Sequence, residues 1–310
     1  MESISQQLSS GITLQGRRIS AVMPDGVVIP VRVFGPEDAQ VRLVCSHGNG
    51  MAVDGYADFW SQLTDTFQVA VFDMRGHGRS DPGIYAHHNW AWFRRDMGDV
   101  LRAINRALGR RRTVGVFHSL SSIVSVAYLR EQGADLDAVT LFDPPFMPPE
   151  DSPFRRAHMA EMYGLAARVV KRRTQFNDPS ELAAQFAKQP HLSRWWRPQA
   201  YLDMARAVMR PGLQGQGWVL SCAPDREGRT FATNDDASLF EYLAHVRIPL
   251  QVVASDPAVE GVQVAAEACR WMAENYGLRY VSVPGTTHFL QMEQPDACAR
   301  ALRDFVDDCV

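Results

Sequence analysis

A chain of 310 residues, 46% hydrophobic and 22% charged, carries too much apolar side chain to stay disordered and enough length to bury a large core with an insertion. Its net charge of −3, with acidic and basic residues interleaved, offers no electrostatic footprint for nucleic acid or an anionic membrane, so neither partner is expected. The N-terminal Met1-Glu2-Ser3-Ile4-Ser5-Gln6-Gln7 lacks the basic and apolar parts of a secretory leader, and no apolar run approaches the roughly 20 residues of a bilayer span. The expectation is a cytoplasmic enzyme. Five scattered cysteines without a C-x-x-C pair point to neither a disulfide framework nor a zinc site.

In chain order, the β-rich runs Ile12 to Val22 and Val27 to Val33 flank Met23-Pro24-Asp25-Gly26, a turn sequence that predicts a hairpin. Short apolar runs then alternate with helical stretches: Val41 to Cys45, Val69 to Phe72, Val114 to Phe117, Ala138 to Phe142, Leu250 to Ala254 and Arg279 to Val283. Continuous apolar strands separated by helices imply a mostly parallel sheet covered on both faces. Between Phe142 and Leu250 lie roughly a hundred residues, too long for an ordinary crossover. The chain is therefore expected to divide into a core formed by residues 1–145 and 246–310 and a helical cap inserted at 146–245. Helix candidates in the insertion are Phe154 to Arg173 and Ser180 to Ala187, and it also carries Trp195, Trp196 and Trp218. Such an insertion would cover the crevice at the C-terminal ends of the strands, where α/β folds bind ligands.

Three loops carry the chemistry. Ser46-His47-Gly48-Asn49-Gly50 ends one strand with glycines that let backbone N–H groups face the top of the sheet, as an oxyanion hole requires. Gly115-Val116-Phe117-His118-Ser119-Leu120-Ser121-Ser122 runs from a strand straight into a helical pattern, placing Ser119 on a strand-to-helix turn. A serine before a helix is commonly a cap, but here the series of parallel strands puts its hydroxyl at the ligand edge of the sheet. A hydroxyl needs a positioned base, and Pro284-Gly285-Thr286-Thr287-His288-Phe289-Leu290 follows the last strand at that same edge. His288 is that base. A carboxylate must orient it, and both Asp143 and Asp256 follow strands. The turn from Asp73 to Ser80, with His77, reads as structural.

Together these motifs resemble the α/β-hydrolase superfamily over nearly the whole chain. The resemblance implies a serine nucleophile, Ser119, with the backbone N–H groups of Asn49 and Leu120 as oxyanion donors. It departs from the family at the elbow, where Phe117 and Ser121 stand at the two glycine positions of G-x-S-x-G. Most members place the acid where Asp256 stands. Haloalkane dehalogenases and zearalenone-lactonase-like hydrolases place it where Asp143 stands, and the short Ser255-Asp256-Pro257 turn is similar to theirs, which favours Asp143.

The expected reaction is hydrolysis of an ester, thioester or lactone through an acyl-enzyme, with no metal or organic cofactor. The expected substrate is a small hydrophobic acyl compound, and Phe146, Met147, Trp195, Trp196, Phe289 and Leu290 are the candidate pocket residues. Two alternatives use the same fold: cofactor-free hydrolysis or lysis of a carbon–carbon bond, and a non-catalytic ligand receptor, for which Phe117 is the hint.

Overall fold

The structure, a computed structural model, describes residues 1–133, 135–189, 195, 197–215, 217–259 and 264–309. The chain opens with an antiparallel meander, β1 (Glu2–Gln7), β2 (Thr13–Val22) and β3 (Val28–Phe34), with the Pro24-Asp25-Gly26 turn joining the last two. Sequence reading misses β1 because Ile4 is its single apolar residue, leaving no alternation to detect. Backbone pairing from Glu2 with Arg18 to Gln7 with Thr13 holds it in place.

The α/β part follows as β4 (Val41–Ser46), α1 (Ala57–Trp60), β5 (Gln68–Phe72), α2 (Trp90–Leu108), β6 (Arg112–His118), α3 (Leu120–Glu131) and β7 (Ala138–Phe142). The chain then leaves the main sheet for α4 (Arg155–Val169), β8 (Gln175–Phe176), α5 (Pro179–Lys188), α6 (Gln199–Ala207), β9 (Met209–Pro211), β10 (Trp218–Leu220), α7 (Pro224–Ala232) and α8 (Ser238–Tyr242). It returns with β11 (Leu250–Ala254), α9 (Val264–Tyr276), β12 (Arg279–Ser282), α10 (Leu290–Glu293) and α11 (Pro295–Cys309).

The main sheet has the order β1-β2-β3-β5-β4-β6-β7-β11-β12, antiparallel as far as β5 and parallel beyond it. In the segment between β7 and β11, β8, β10 and β9 form a small antiparallel sheet. Strands of two or three residues are too short to show a period, so only the helices are legible there. The first of those helices also stops short of the Arg173 end its pattern predicts. Lys171 and Arg172 donate to Arg168 and Val169 at 3.2 and 3.0 Å, and such i to i−3 bonds tighten and close a helix end.

Side-chain alternation divides the core between the two faces of the sheet. Leu43, Cys45, Val69 and Val71 meet Phe59 and Trp60 of α1 and Phe305 of α11, whereas Val44, Ala70 and Phe72 meet Phe93 and Met97 of α2. Each fully buried Val, Leu, Phe or Met among them stabilises the fold by about 1.5–3 kcal/mol. Two helical layers clamp the sheet and fix the C-terminal ends of its parallel strands in one plane. Among the described residues no helix is long and apolar enough to cross a membrane.

Candidate active site

Ser119 stands between β6 and α3 with φ 51° and ψ −111°, a conformation that costs about 1–3 kcal/mol for a non-glycine residue. Its side chain forms no capping bond to α3, so the hydroxyl is left to face outward. The strain is held by local bonds. The Ser119 N–H donates to the Phe142 carbonyl at 3.0 Å, and Ser121 closes the turn, its Oγ donating to the His118 carbonyl and accepting from the His118 N–H, both at 3.0 Å. A small hydroxyl thus does at Ser121 what space alone does at a glycine. Phe117, the larger departure, is fully buried, and its ring occupies the room left by Gly115. A Cβ at Gly115 would meet the Phe117 ring at 2.3 Å. The missing elbow glycine is compensated two residues upstream on the same face of the strand.

His288 lies on the loop after β12, its Nε2 3.0 Å from Ser119 Oγ and its Nδ1 2.6 Å from Asp143 Oδ2. Asp143 also has a left-handed backbone, φ 42°. Its Oδ1 accepts from the N–H and the hydroxyl of Ser255, both at 2.9 Å. Complete burial would raise this carboxyl's pKa, but the bond and charge of His288 and the two bonds from Ser255 outweigh it and hold the group below the usual carboxylate range. An ionised Asp143 only accepts, so His288 carries its proton on Nδ1 and offers Nε2 as acceptor to the Ser119 hydroxyl. Asp256 does a different job. Its carboxylate accepts from the N–H groups of Gly285 at 2.8 Å and Ala258 at 2.9 Å, pinning the start of the His288 loop. Glu293, which sequence reading passes over, pins the other end through the N–H and hydroxyl of Thr287, both at 2.6 Å.

On the opposite side of Ser119 lies the loop after β4. A Cβ at Gly48 would stand 3.0 Å from His118 Nδ1 and 3.2 Å from Ser119 Cβ, so glycine lets this backbone reach the elbow. Leu120 opens α3, whose N-terminal N–H groups and dipole favour negative charge beside Ser119. Among the described residues the backbone N–H groups of Asn49 and Leu120 donate to no protein acceptor. Buried His77 receives the Gly50 N–H on Nε2 at 3.2 Å and donates Nδ1–H to the Arg75 carbonyl at 3.0 Å; burial keeps it neutral, its pKa pushed down to about 3. It is a strut for the loop, as the turn sequence implies.

A relay unseen in the sequence joins this loop to the His288 loop. The His288 carbonyl can only accept, so His118 Nε2 donates to it at 2.9 Å. Burial pushes the His118 pKa down to about 3, the ring is neutral, and its Nδ1 therefore accepts from the Tyr56 hydroxyl at 2.8 Å. The Tyr56 oxygen in turn accepts the Gly48 N–H at 3.2 Å. Tyr56 and His118 are 62 positions apart, and no spacing rule links them.

A cavity of about 350 Å³ opens onto Ser119 and His288, walled by Met162, Leu165 and Val169 of α4, Leu182 and Phe186 of α5, and Phe289. Arg168, Arg172, Gln185 and Glu227 add polar groups to it. Of the candidate pocket residues, Phe289 lines this cavity and the others described do not. Phe146 and Met147 are buried, Phe146 within the hydrophobic cluster that holds Leu120, and Leu290 is fully buried in the cluster on the other face. Trp195 stacks on Tyr201 at 4.8 Å and backs Phe186 and Phe289 at 5.9 and 6.1 Å, one layer behind the wall. Its flat ring is consumed by packing. Trp196 lies outside the described residues. A wider concavity of about 760 Å³, bordered by Arg110, Arg111 and Arg112, contains none of the triad candidates. Among the described residues no group of three or more His, Cys, Asp or Glu side chains is arranged to hold a metal ion.

Among curated proteins none matches the chain. Solved structures match it over nearly full length. They include E-2-(acetamidomethylene)succinate hydrolase (22% identity, TM-score 0.73, 95% of this chain and 99% of that one). The thioesterase domain of the curacin biosynthetic pathway is similar at 16% identity and TM-score 0.70, over 94% of this chain and 99% of that one. A thermophilic esterase from Thermogutta terrifontis matches at 19% identity and TM-score 0.67, over 95% and 99%. At such identities the likeness is one of fold. The model of the alpha/beta hydrolase family matches residues 43–301, from the strand before the glycine loop to the helix after the His288 loop, and the chain belongs to that family.

Proposed function

We propose that this protein is a serine hydrolase that cleaves a carboxylic ester, thioester or lactone through an acyl-enzyme. The observation that carries the reading is the line from Ser119 Oγ to His288 Nε2, 3.0 Å, and from His288 Nδ1 to Asp143 Oδ2, 2.6 Å. Ser119 attacks the carbonyl carbon as His288 removes its proton, and the tetrahedral oxyanion is held by the N–H groups of Asn49 and Leu120. Asp143 stabilises the imidazolium that forms and keeps its orientation. His288 then protonates the leaving group, the acyl-enzyme is attacked by water with His288 again as base, and Ser119 is regenerated. The segment 146–245 acts as the cap, since α4 and α5 supply most of the apolar wall over the serine.

The strained backbone at Ser119 and Asp143 supports catalysis over a receptor role, because a binding protein gains nothing from strain at those two residues. The accommodation of Phe117 over Gly115 removes the one feature that hinted at decay. Reaction with a fluorophosphonate probe, read by intact-protein and peptide mass spectrometry, tests the reading. One adduct on Ser119, absent from Ser119→Ala, is expected; no adduct, or an adduct elsewhere that survives the substitution, overturns it.

A further inference from the structure

The cavity wall is mostly apolar, yet its lining carries two arginines, Arg168 and Arg172, and one carboxylate, Glu227. Glu227 is buried against the loop after β4, and both its oxygens accept from Nη1 of Arg172 at 2.8 Å. That pair is neutral. Arg168, an exposed residue four positions before Arg172, also lines the cavity and has no hydrogen bond or ion pair among the described residues. Glu161, two turns earlier on α4, accepts from the Val264 N–H at 3.3 Å and attracts Arg168 through space without a direct bond to it. Neither Nη2 nor Nε of Arg172 is bonded within the described residues, so two guanidinium groups, one helical turn apart, hold spare donors at the cavity.

We propose that the substrate carries an anionic group, a carboxylate, on its acyl chain remote from the scissile carbonyl, and that Arg168, assisted by the free edge of Arg172, recognises it. A guanidinium presents its N–H groups as a planar fork that matches a carboxylate in paired bonds, and such charge-assisted bonds strengthen beside apolar walls. Gln185 lines the same cavity from α5 and supplies neutral donors. The apolar side chains of α4 and α5 then take the methylene chain between the two ends. The substrate class is a half-ester or half-thioester of a dicarboxylic acid, or a lactone bearing a carboxylate, in place of the purely hydrophobic acyl compound expected from the sequence.

This inference rests on the serine hydrolase reading, and the test separates the two. The p-nitrophenyl esters of butyrate and of glutarate, the latter a half-ester with one free carboxylate, are compared in the wild type, Ser119→Ala, Arg168→Gln and Arg168→Lys. The wild type is expected to favour the glutarate half-ester by about tenfold or more in kcat/KM, chiefly through KM, as one charge-assisted contact provides. Arg168→Gln should bring the ratio of the two esters close to one, and Arg168→Lys should keep part of it. Hydrolysis of both esters that depends on Ser119 but shows no preference, or a preference that survives Arg168→Gln, overturns the carboxylate site and leaves the hydrolase reading standing. If neither ester is turned over in a Ser119-dependent manner, both fail.

Discussion

Replacing Asp143 with Asn separates charge and tautomer from shape. The side chain is fully buried and its two oxygens have distinct partners: Oδ1 accepts twice from Ser255 and Oδ2 faces His288 Nδ1. In Asp143→Asn the amide oxygen must stay on Ser255, whose N–H and hydroxyl both donate, so the amide NH2 turns toward His288. A donor facing Nδ1 forces the imidazole to accept there and to carry its proton on Nε2, pointed at Ser119 Oγ. The base is then blocked in its resting state, and the imidazolium loses its counter-charge. The analogous change in a serine protease triad lowers kcat by about 10⁴, or about 5 kcal/mol of transition-state stabilisation. A p-nitrophenyl ester assay at neutral pH should show a loss of that order in kcat, with circular dichroism and melting temperature near those of the wild type. Asp256→Asn should retain most activity, because among the described residues its oxygens bond the Gly285 and Ala258 N–H groups alone and an amide oxygen can keep one of them. Asp143→Asn within tenfold of the wild type, or an Asp256→Asn loss as large as that of Asp143→Asn, would refute the assignment.

Tyr56→Phe removes the hydroxyl between Gly48 and His118, orphaning a buried N–H and a buried ring nitrogen at about 1–3 kcal/mol each. A kcat loss of about tenfold with KM little changed, matched by weaker binding of a trifluoromethyl ketone, is expected if the relay positions the oxyanion loop; a lower melting temperature with unchanged kcat would reduce Tyr56 to a structural role. Stability should also fall on acidification. Burial pushes the pKa of His47 down to about 4, of His77 to about 3, of His88 to about 2, of His118 to about 3 and of His158 to about 4, all from 6.5. Below pH 6.5 the unfolded chain takes up protons that the folded one refuses, so stability is lost between about pH 6.5 and 4. Burial raises Asp73 and Asp96 to about 6 from 3.8 and also raises Glu161 and Glu227, and these four oppose the trend because the folded state protonates them first. Five histidines, which refuse protons from pH 6.5 downward, against four carboxylates fix the sign. Differential scanning fluorimetry from pH 7.5 to 4.5 checks it, and a melting temperature that holds or rises would contradict the balance.

Local sequence pattern is enough to lay out most of the main sheet and the edge where the candidate triad gathers. Fully buried strands such as β4, β5, β7 and β11 read as mostly apolar runs without alternation, and the turns that follow parallel strands all emerge at one edge. That logic locates Ser119, His288 and the Asn49 loop without coordinates, because it depends on chain order and strand polarity alone. It cannot choose between Asp143 and Asp256, since β7 and β11 are neighbours in the sheet and both residues emerge side by side. The choice rests on side-chain direction: the left-handed backbone at Asp143 turns its carboxylate to His288, while Asp256 folds back onto Gly285. Pocket residues are less legible still. An aromatic side chain reads the same in sequence whether it lines a cavity, as Phe289 does, or backs one, as Trp195 does. Phe117 shows the opposite limit, a local rule broken at one position and repaired at another, which only packing reveals. The relay of Tyr56 and His118 and the uneven charge of Arg168, Arg172 and Glu227 exist only once distant segments meet. Strand order follows from local pattern, but which way a side chain points and what it touches are decided by tertiary contacts that no local pattern encodes.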